Sequence, residues 1–365
     1  MADKTGRGAG TRRTHKTRVG ILGASGYMGG EALRTVLEHP DLELAWATSR
    51  QPRPAHHCHP DLVGMGIELI HPDDADPCDA VLIALPTLAA ASQTARLLDS
   101  GSLVVDLGAA FRLEDRSTWE RVYAASHPCW ERVGEAVYGI AELHESAIRK
   151  ARLVANPGCF SSAAILALAP LLREGWIDPE RIVVVGLSGT AGAGADLDRA
   201  MHHPEIGDNL VPYNAVDHRH SYEIEQELSK LAKREVRVHF TPIYVPIVRG
   251  ILDSCHGFAL RDIERPQLLE LYRDFYAASP FVVLCEDPPE PDVSWQTRPY
   301  PWVSAVAGTN RCLIGLDVDP ERGRIAVFSA LDSLGKGGAR AGVENLNLML
   351  GLERSAGLLG LGLHP

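Results

Sequence analysis

Three successive pieces near the start constrain this chain more than anything that follows. Arg18-Val19-Gly20-Ile21-Leu22 is a short apolar run of strand type, Gly23-Ala24-Ser25-Gly26-Tyr27-Met28-Gly29-Gly30 follows at once, and a helical stretch occupies 31–38. Strand, glycine-rich turn and helix in that order form the setting in which backbone N–H groups at a helix start can cradle a phosphate. The spacing is Gly-x-x-Gly-x-x-Gly rather than the commoner Gly-x-Gly-x-x-Gly, and alone it reads equally well as a plain strand-to-helix turn. Its place directly behind the first strand favours a nucleotide-binding turn built from Gly23, Ser25, Gly26, Tyr27, Met28 and Gly29.

The next strand, 42–47, ends in Thr48-Ser49-Arg50. Folds selective for NAD place an Asp or Glu here to hold the ribose 2'-hydroxyl. None is present. A guanidinium bonds two phosphate oxygens at once, so Ser49 and Arg50 suit a 2'-phosphate and NADP(H) is the expected cofactor; the competing reading is a solvated surface arginine. Strand-like runs at 80–85 and 103–107 flank a helical 89–98, and this alternation predicts a parallel, doubly wound α/β sheet. Pro86, in Leu85-Pro86-Thr87, falls at a strand end, where such sheets bind ligands. Arg112 could grip a substrate anion or form a structural ion pair, and both readings stand.

The second constraining stretch is Asn156-Pro157-Gly158-Cys159-Phe160-Ser161-Ser162, between an apolar run at 153–155 and a helix-like run at 165–172. Cys159 is therefore expected where a strand turns into a helix, a position whose open N–H groups and partial positive charge favour a thiolate and should lower its pKa. The bland reading, a small buried hydrophobe, fits most cysteines. The Pro-Gly-Cys turn argues for a nucleophile here.

Downstream, a strand at 182–187 runs into Ser188-Gly189-Thr190-Ala191-Gly192-Ala193-Gly194, whose N–H groups can face an anion. Asp217-His218-Arg219-His220 precedes a helix with apolar spacing Ile224, Leu228, Leu231, for which Ser221 is the expected N-cap and Glu223 a first-turn residue. Strands at 313–318 and 325–330 lead to Asp332-Ser333-Leu334-Gly335-Lys336, which opens a last helix through 350. The glycine-rich helix start suggests that the C-terminus packs back on the nucleotide half. The expected division is a tail at 1–16, an NADP-binding domain of 17–158 with 332–365, and a catalytic and oligomerisation domain of 159–331.

A formal net charge of -11 argues against a general nucleic-acid binder. Seven cysteines, odd in number and without Cys-x-x-Cys, indicate neither a disulfide framework nor a zinc site and suit a reducing cytoplasm. His56-His57-x-His59 and His202-His203 lack zinc-ligand spacing, so no metal is expected. No apolar run is long enough for a membrane span. Residues 1–16 read as a disordered basic tail, and the acidic, proline-rich 286–292 as an exposed loop.

Taken together, Gly23-Ala24-Ser25-Gly26-Tyr27, Val137-Tyr138-Gly139, Asn156 to Phe160, Gly192-Ala193-Gly194, His218-Arg219-His220, Glu223 to Gln226, Val248-Arg249-Gly250 and Lys336-Gly337 resemble the N-acetyl-gamma-glutamyl-phosphate reductase family of arginine biosynthesis. That family is related to aspartate-semialdehyde dehydrogenase. The resemblance spans residues 18–365 and implies a Rossmann-like nucleotide domain beside an α+β catalytic and dimerisation domain. It implies an NADPH-dependent reductase that converts an acyl phosphate to an aldehyde through a thioester on Cys159, with His218 as acid and base and Glu223 orienting it. His220 is the second candidate for the same role. Ser188, Gly189 and Ser333 fall to the cofactor, and Arg112, Asn156, His220 and Arg249 to the substrate. A homodimer or homotetramer is implied.

Two departures matter. Ser333 stands where similar chains carry Asn, which predicts a weaker cofactor contact. Thr48-Ser49-Arg50, His202 to Glu205 and Leu363-His364-Pro365 look like the sister branch, which acts on aminoadipyl or glutamyl phosphate held by an acidic amino-group carrier protein. Free N-acetyl-glutamyl phosphate remains the favoured substrate. The rivals are a non-catalytic NADP sensor on the same fold and a reductase of another acyl phosphate, such as aspartyl phosphate.

Overall fold

A computed structural model describes residues 15–286 and 300–363. The expectations for most of the 1–16 tail and of the acidic 286–292 loop lie outside the described residues. The chain forms two sheets. The first takes β1 (Thr17–Leu22), β2 (Leu42–Thr48), β3 (Arg53–Pro54), β4 (Glu68–Ile70), β5 (Ala80–Ile83), β6 (Leu103–Asp106), β7 (Ala136–Tyr138) and β8 (Leu153–Ala155). The second takes β9 (Ile182–Ser188), β10 (Val211–Pro212), β11 (Val238–Tyr244), β12 (Ile251–Phe258), β13 (Val282–Leu284), β14 (Cys312–Asp319) and β15 (Arg324–Leu331). The helices are α1 (Tyr27–Glu38), α2 (Thr87–Asp99), α3 (Arg116–Tyr123), α4 (Ala141–Ile148), α5 (Cys159–Arg173), α6 (His203–Ile206), α7 (Arg219–Ala232), α8 (Arg265–Tyr276) and α9 (Arg340–Met349).

The first sheet runs β3-β4-β2-β1-β5-β6-β8-β7, parallel throughout except for the β3–β4 edge. Its strands are near-continuous apolar runs because both faces are covered, as β5 shows with every residue buried. The order reverses between β1 and β5, where open sheets leave a crevice for ligands. The second sheet, β10-β11-β9-β12-β15-β14-β13, is mixed. Alternate residues of β12 are buried, so one face of this sheet covers a core and the other does not.

Helix α5 joins the two halves. It leaves the end of β8 in the first sheet and is buried from Phe160 to Leu172, because it packs beneath the second sheet through Ala163, Leu166 and Leu168. A helix apolar on every side requires such a position. After β15 the chain returns through a wide turn of π type at Gly335–Ala339 into α9, buried from Arg340 to Leu348 among first-sheet residues that include Val105, Leu107 and Val154. Here Arg340 meets Glu31 of α1 at 2.8 Å, and Lys336 is held between Glu142 at 2.9 Å and Glu344 at 2.7 Å. Among the described residues no helix is long and apolar enough to cross a membrane.

Candidate active site

A cleft of about 580 Å³ lies where the ends of β1, β5, β6 and β8 face the second sheet. One wall is the glycine turn. Gly23 has a φ of +83°, which disfavours any side chain, and its N–H donates to Thr48 Oγ1 at 3.2 Å. At Gly29 a Cβ would stand 2.7 Å from Ala24 Cα, so the turn and the first turn of α1 touch backbone to backbone. Helix α1 starts at Gly26 with no side-chain cap and no acidic residue in its first turn, which leaves its N–H groups open for an anion. Gly26, Tyr27, Met28, Gly29 and Pro86 line the cleft, and Gly23 and Ser25 stand behind them. This open, uncapped, glycine-rich cradle fits the phosphates of a dinucleotide. Arg50, at the end of β2, is exposed and makes no ion pair among the described residues, while Ser49 is buried and accepts the Gln51 N–H at 3.3 Å. Arg50 is thus the side chain of this pair that is open to a 2'-phosphate.

The opposite wall carries the sulfur. Cys159 is the first residue of α5, follows Gly158 at the cap, and is partly exposed to the cleft. Burial pushes its thiol up to about 11, outweighing the downward pull of the Phe160 N–H and of the Arg112 and Arg219 charges. The expectation of a lowered pKa is thereby reversed: at rest the group is a thiol, and its proton needs an acceptor.

Two imidazoles line the same cleft, 4.7 Å apart between ring centroids. His218, not Ser221, caps α7: its Nδ1 accepts the His220 N–H at 3.2 Å. Neutral His218 therefore carries its proton on Nε2. Burial, then the Arg219 charge, holds its pKa down to about 4. Burial, then the charges of His218, Arg219 and Arg112, pushes His220 well below the usual histidine range. Both rings are neutral near pH 7. His220 lies flat against the nucleophile turn, since a Cβ on Gly158 would come within 2.6 Å of its Cδ2. Its Nδ1 is buried without a hydrogen-bond partner.

Glu223 orients the turn rather than His218. Its Oε2 accepts from Tyr138 Oη at 2.8 Å and from the Gly158 N–H at 3.0 Å, and its Oε1 from Arg112 Nη1 at 3.1 Å. The imidazole near it is that of His220, with Nε2 3.9 Å from Oε1.

Three expected substrate ligands are placed otherwise. Arg112 touches the cleft, but it is buried and spends donors on Asn156 O at 2.8 Å, Leu107 O at 3.2 Å and Glu223, the structural ion pair of its two readings. Asn156 is fully buried outside the cleft, donating to Gly338 O at 3.1 Å and accepting from Asn345 Nδ2 at 3.1 Å. Arg249 bridges Glu31 at 3.0 Å and Asp332 at 2.8 Å, away from the cleft lining. In each case a charge or amide, buried or half-buried, is stabilised by fixed protein partners, which leaves little for a ligand.

On the cofactor side, Ser188 lines the cleft, and Gly189 lies behind it with its N–H on Gly250 O at 2.9 Å. Ser333 lines the cleft with its Oγ 3.4 Å from the Gly250 N–H. The sequence reading passed over three neighbours of the sulfur. Arg219 is exposed in the cleft and makes no ion pair among the described residues. Tyr213 and Tyr244 stack with ring centroids 4.4 Å apart and planes 10° apart, beside the thiol. The β10–β11 pairing, with Val211 opposite Tyr244, and the Tyr213 N–H on Pro242 O at 3.2 Å bring those rings together. No group of three or more His, Cys, Asp or Glu among the described residues could hold a metal ion.

Comparison with known proteins places these features in a family setting. The description "Semialdehyde dehydrogenase, NAD binding domain" matches residues 18–151, and "Semialdehyde dehydrogenase, dimerisation domain" matches 159–333. An N-acetyl-gamma-glutamyl-phosphate reductase of Methanopyrus kandleri is 43% identical over 95% of this chain and 99% of its own length. A protein of Cenarchaeum symbiosum, provisionally named LysW-L-2-aminoadipate/LysW-L-glutamate phosphate reductase, is 39% identical over 95% and 99%. Among solved structures, aspartate semialdehyde dehydrogenase II of Vibrio cholerae superposes with a TM-score of 0.69 over 92% of this chain and 99% of its own, at 18% identity. The Candida albicans aspartate semialdehyde dehydrogenase with NADP gives 0.62 over 92% and 99%, at 14%. These two likenesses concern the fold.

Proposed function

The chain belongs to the N-acetyl-gamma-glutamyl-phosphate reductase family of the semialdehyde dehydrogenases, and from that premise we propose that it reduces N-acetyl-gamma-glutamyl phosphate to N-acetyl-glutamate 5-semialdehyde, releasing phosphate. The observation that carries this reading is the meeting, in one cleft, of an open glycine cradle, a cysteine at a helix start and two neutral imidazoles.

His220, which lines the same cleft, takes the thiol proton as Cys159 Sγ bonds the acyl carbon. The carbon–oxygen bond to phosphate breaks, and phosphate leaves with the electron pair. Arg219, whose charge reaches the sulfur, holds the departing anion. His218 donates its Nε2 proton as a hydrogen bond to the oxyanion that develops at the same carbon, helped by the open N–H groups of the first turn of α5. NADPH, held by the turn from Gly23 to Gly29 with Arg50, Pro86, Ser188 and Ser333, supplies when bound the hydride that lowers the thioester to the aldehyde level. As the carbonyl re-forms, the carbon–sulfur bond breaks and Sγ recovers its proton from His220.

The second reading, a carrier-linked glutamyl or aminoadipyl phosphate, draws on the Cenarchaeum relative. Charge favours the free substrate. Segment 195–219, both ends of which line the cleft, carries Asp196, Asp198, Glu205, Asp208 and Asp217 against Arg199 and Arg219, an acidic lip that repels an acidic carrier. Kinetics with both substrates side by side test this. A kcat/KM at least ~100-fold higher for the free acyl phosphate is expected, and the reverse preference overturns the assignment. Cys159→Ser should abolish reduction of either while still binding NADPH; full activity in that variant removes the mechanism and readmits a sensor. The reading places the protein in the cytoplasm as a homodimer or homotetramer.

A further inference from the structure

The histidine run His56-His57-x-His59 has no part in the reaction above, yet one of its rings touches the cofactor turn. His59 lies between two short turns, Ala55–His57 and Pro60–Leu62, whose residues Ala55 and Leu62 are buried in the first core, and its own N–H donates to Ala55 O at 2.9 Å. From this fixed seat its Nε2 stands 2.6 Å from Ala24 O. A carbonyl only accepts, so Nε2 carries the proton. The other side of the ring rests on α1: a Cβ on Gly30 would stand 2.6 Å from its Nδ1.

Ala24 belongs to the turn whose N–H groups must face phosphate. For those donors to point into the cleft, the carbonyls of the same turn must point away and be satisfied there. The Ala24 N–H is fixed on Thr48 O at 2.8 Å and the Gly23 N–H on Thr48 Oγ1, both from β2. His59 is the partner for the carbonyl side.

We propose that His59 is a positioning residue for the dinucleotide. By donating Nε2–H to Ala24 O it holds the turn in its phosphate-receiving form, and the second glycine of Gly29-Gly30 is required because the imidazole occupies the space of its side chain. This rests on the cleft being the dinucleotide site and extends it to a residue outside the glycine motif.

The test is direct titration of NADPH into the full-length protein by fluorescence, with thermal midpoints of the cofactor-free form and steady-state kinetics alongside. His59→Ala should weaken NADPH binding by about tenfold, the scale of one hydrogen bond, and raise the KM for NADPH to match, with kcat at saturation within about threefold. His59→Gln, which can present Nε2–H at similar reach, should recover most of the affinity, and His59→Asn, too short, should not. Gly30→Ala should weaken binding like His59→Ala, and the double variant should be no weaker than the worse single one. Wild-type affinity in His59→Ala, or a Gln variant no better than Ala, overturns the proposal, whatever happens to the thermal midpoint. Failure of the wild type to bind NADPH would instead strike at the reading of the cleft.

Discussion

Glu223 accepts the Gly158 N–H at 3.0 Å, so the residue before the nucleophile is held by a carboxylate from a helix 65 positions further along the chain. The same carboxylate neutralises buried Arg112 and anchors Tyr138. Removing one partner of a buried pair leaves the other charge uncompensated, so Glu223→Ala should cost about 3–5 kcal/mol of stability. Glu223→Gln offers an amide hydrogen where an oxygen now accepts. It should cost about 1–3 kcal/mol and lower kcat more than it changes the NADPH dissociation constant. Urea unfolding and single-turnover reduction measure the two effects.

The state of the thiol is checked by alkylation. With the Cys159 pKa pushed up to about 11, the iodoacetamide rate at this residue should climb about tenfold per pH unit beyond pH 9 and level off only near 11. A plateau below pH 8 would mean that the helix start dominates after all. His220→Asn should slow capture of the acyl group at pH 7, and His218→Asn should leave capture largely intact while slowing reduction.

Gly337 closes over the nucleophile. A Cβ there would stand 2.8 Å from Cys159 Cβ and 2.9 Å from Leu331 Cδ1. Gly337→Ala must shift the start of α5, and a displacement of this kind near reacting atoms costs on the order of 100-fold in rate. Stopped-flow reduction should show that loss while NADPH titration changes little.

Asp253 lies on β12, fully buried, with neither carboxyl oxygen hydrogen-bonded. Burial holds its carboxyl well above the usual range, so the folded protein binds a proton there that the unfolded chain releases near pH 4. Such a group favours the folded state only below its unfolded pKa and weakens it as pH rises. Asp253→Asn should therefore be stabilising at pH 7 by at least about 1 kcal/mol, and the gain should shrink toward pH 4. Chemical denaturation at the two pH values decides it; equal gains at both would contradict a protonated Asp253.

What the sequence disclosed was local. The glycine turn and the Pro-Gly-Cys junction are each made by neighbouring residues, whose conformational needs are written in their own side chains, and both lie in the cleft. What it withheld was how polar groups are shared over distance. Arg112 reads equally as an anion receptor or an ion pair, and the resemblance assigns Arg249 to the substrate, but their guanidinium groups are taken up by Glu223 and Glu31, 111 and 218 positions away. Ser221 looked like the cap of α7 because hydroxyls usually serve there. The imidazole nitrogen of His218 accepts instead, and that single bond fixes which nitrogen carries the proton. The thiol pKa was misjudged for a related reason: the helix start is visible in sequence, whereas the burial that outweighs it is not.

The pairing of Glu31 with Arg340, 309 positions apart, bears on how the protein is made. Strand β1 and helix α1 are among the first elements to leave the ribosome, but Arg340, which joins Arg34 and Arg249 around Glu31, and the helix that covers β6 arrive among the last. The nucleotide half must therefore wait, with an open apolar flank, until translation is almost finished. A message truncated shortly before α9 would yield a chain whose amino-terminal half cannot close, and quality control would meet that half first.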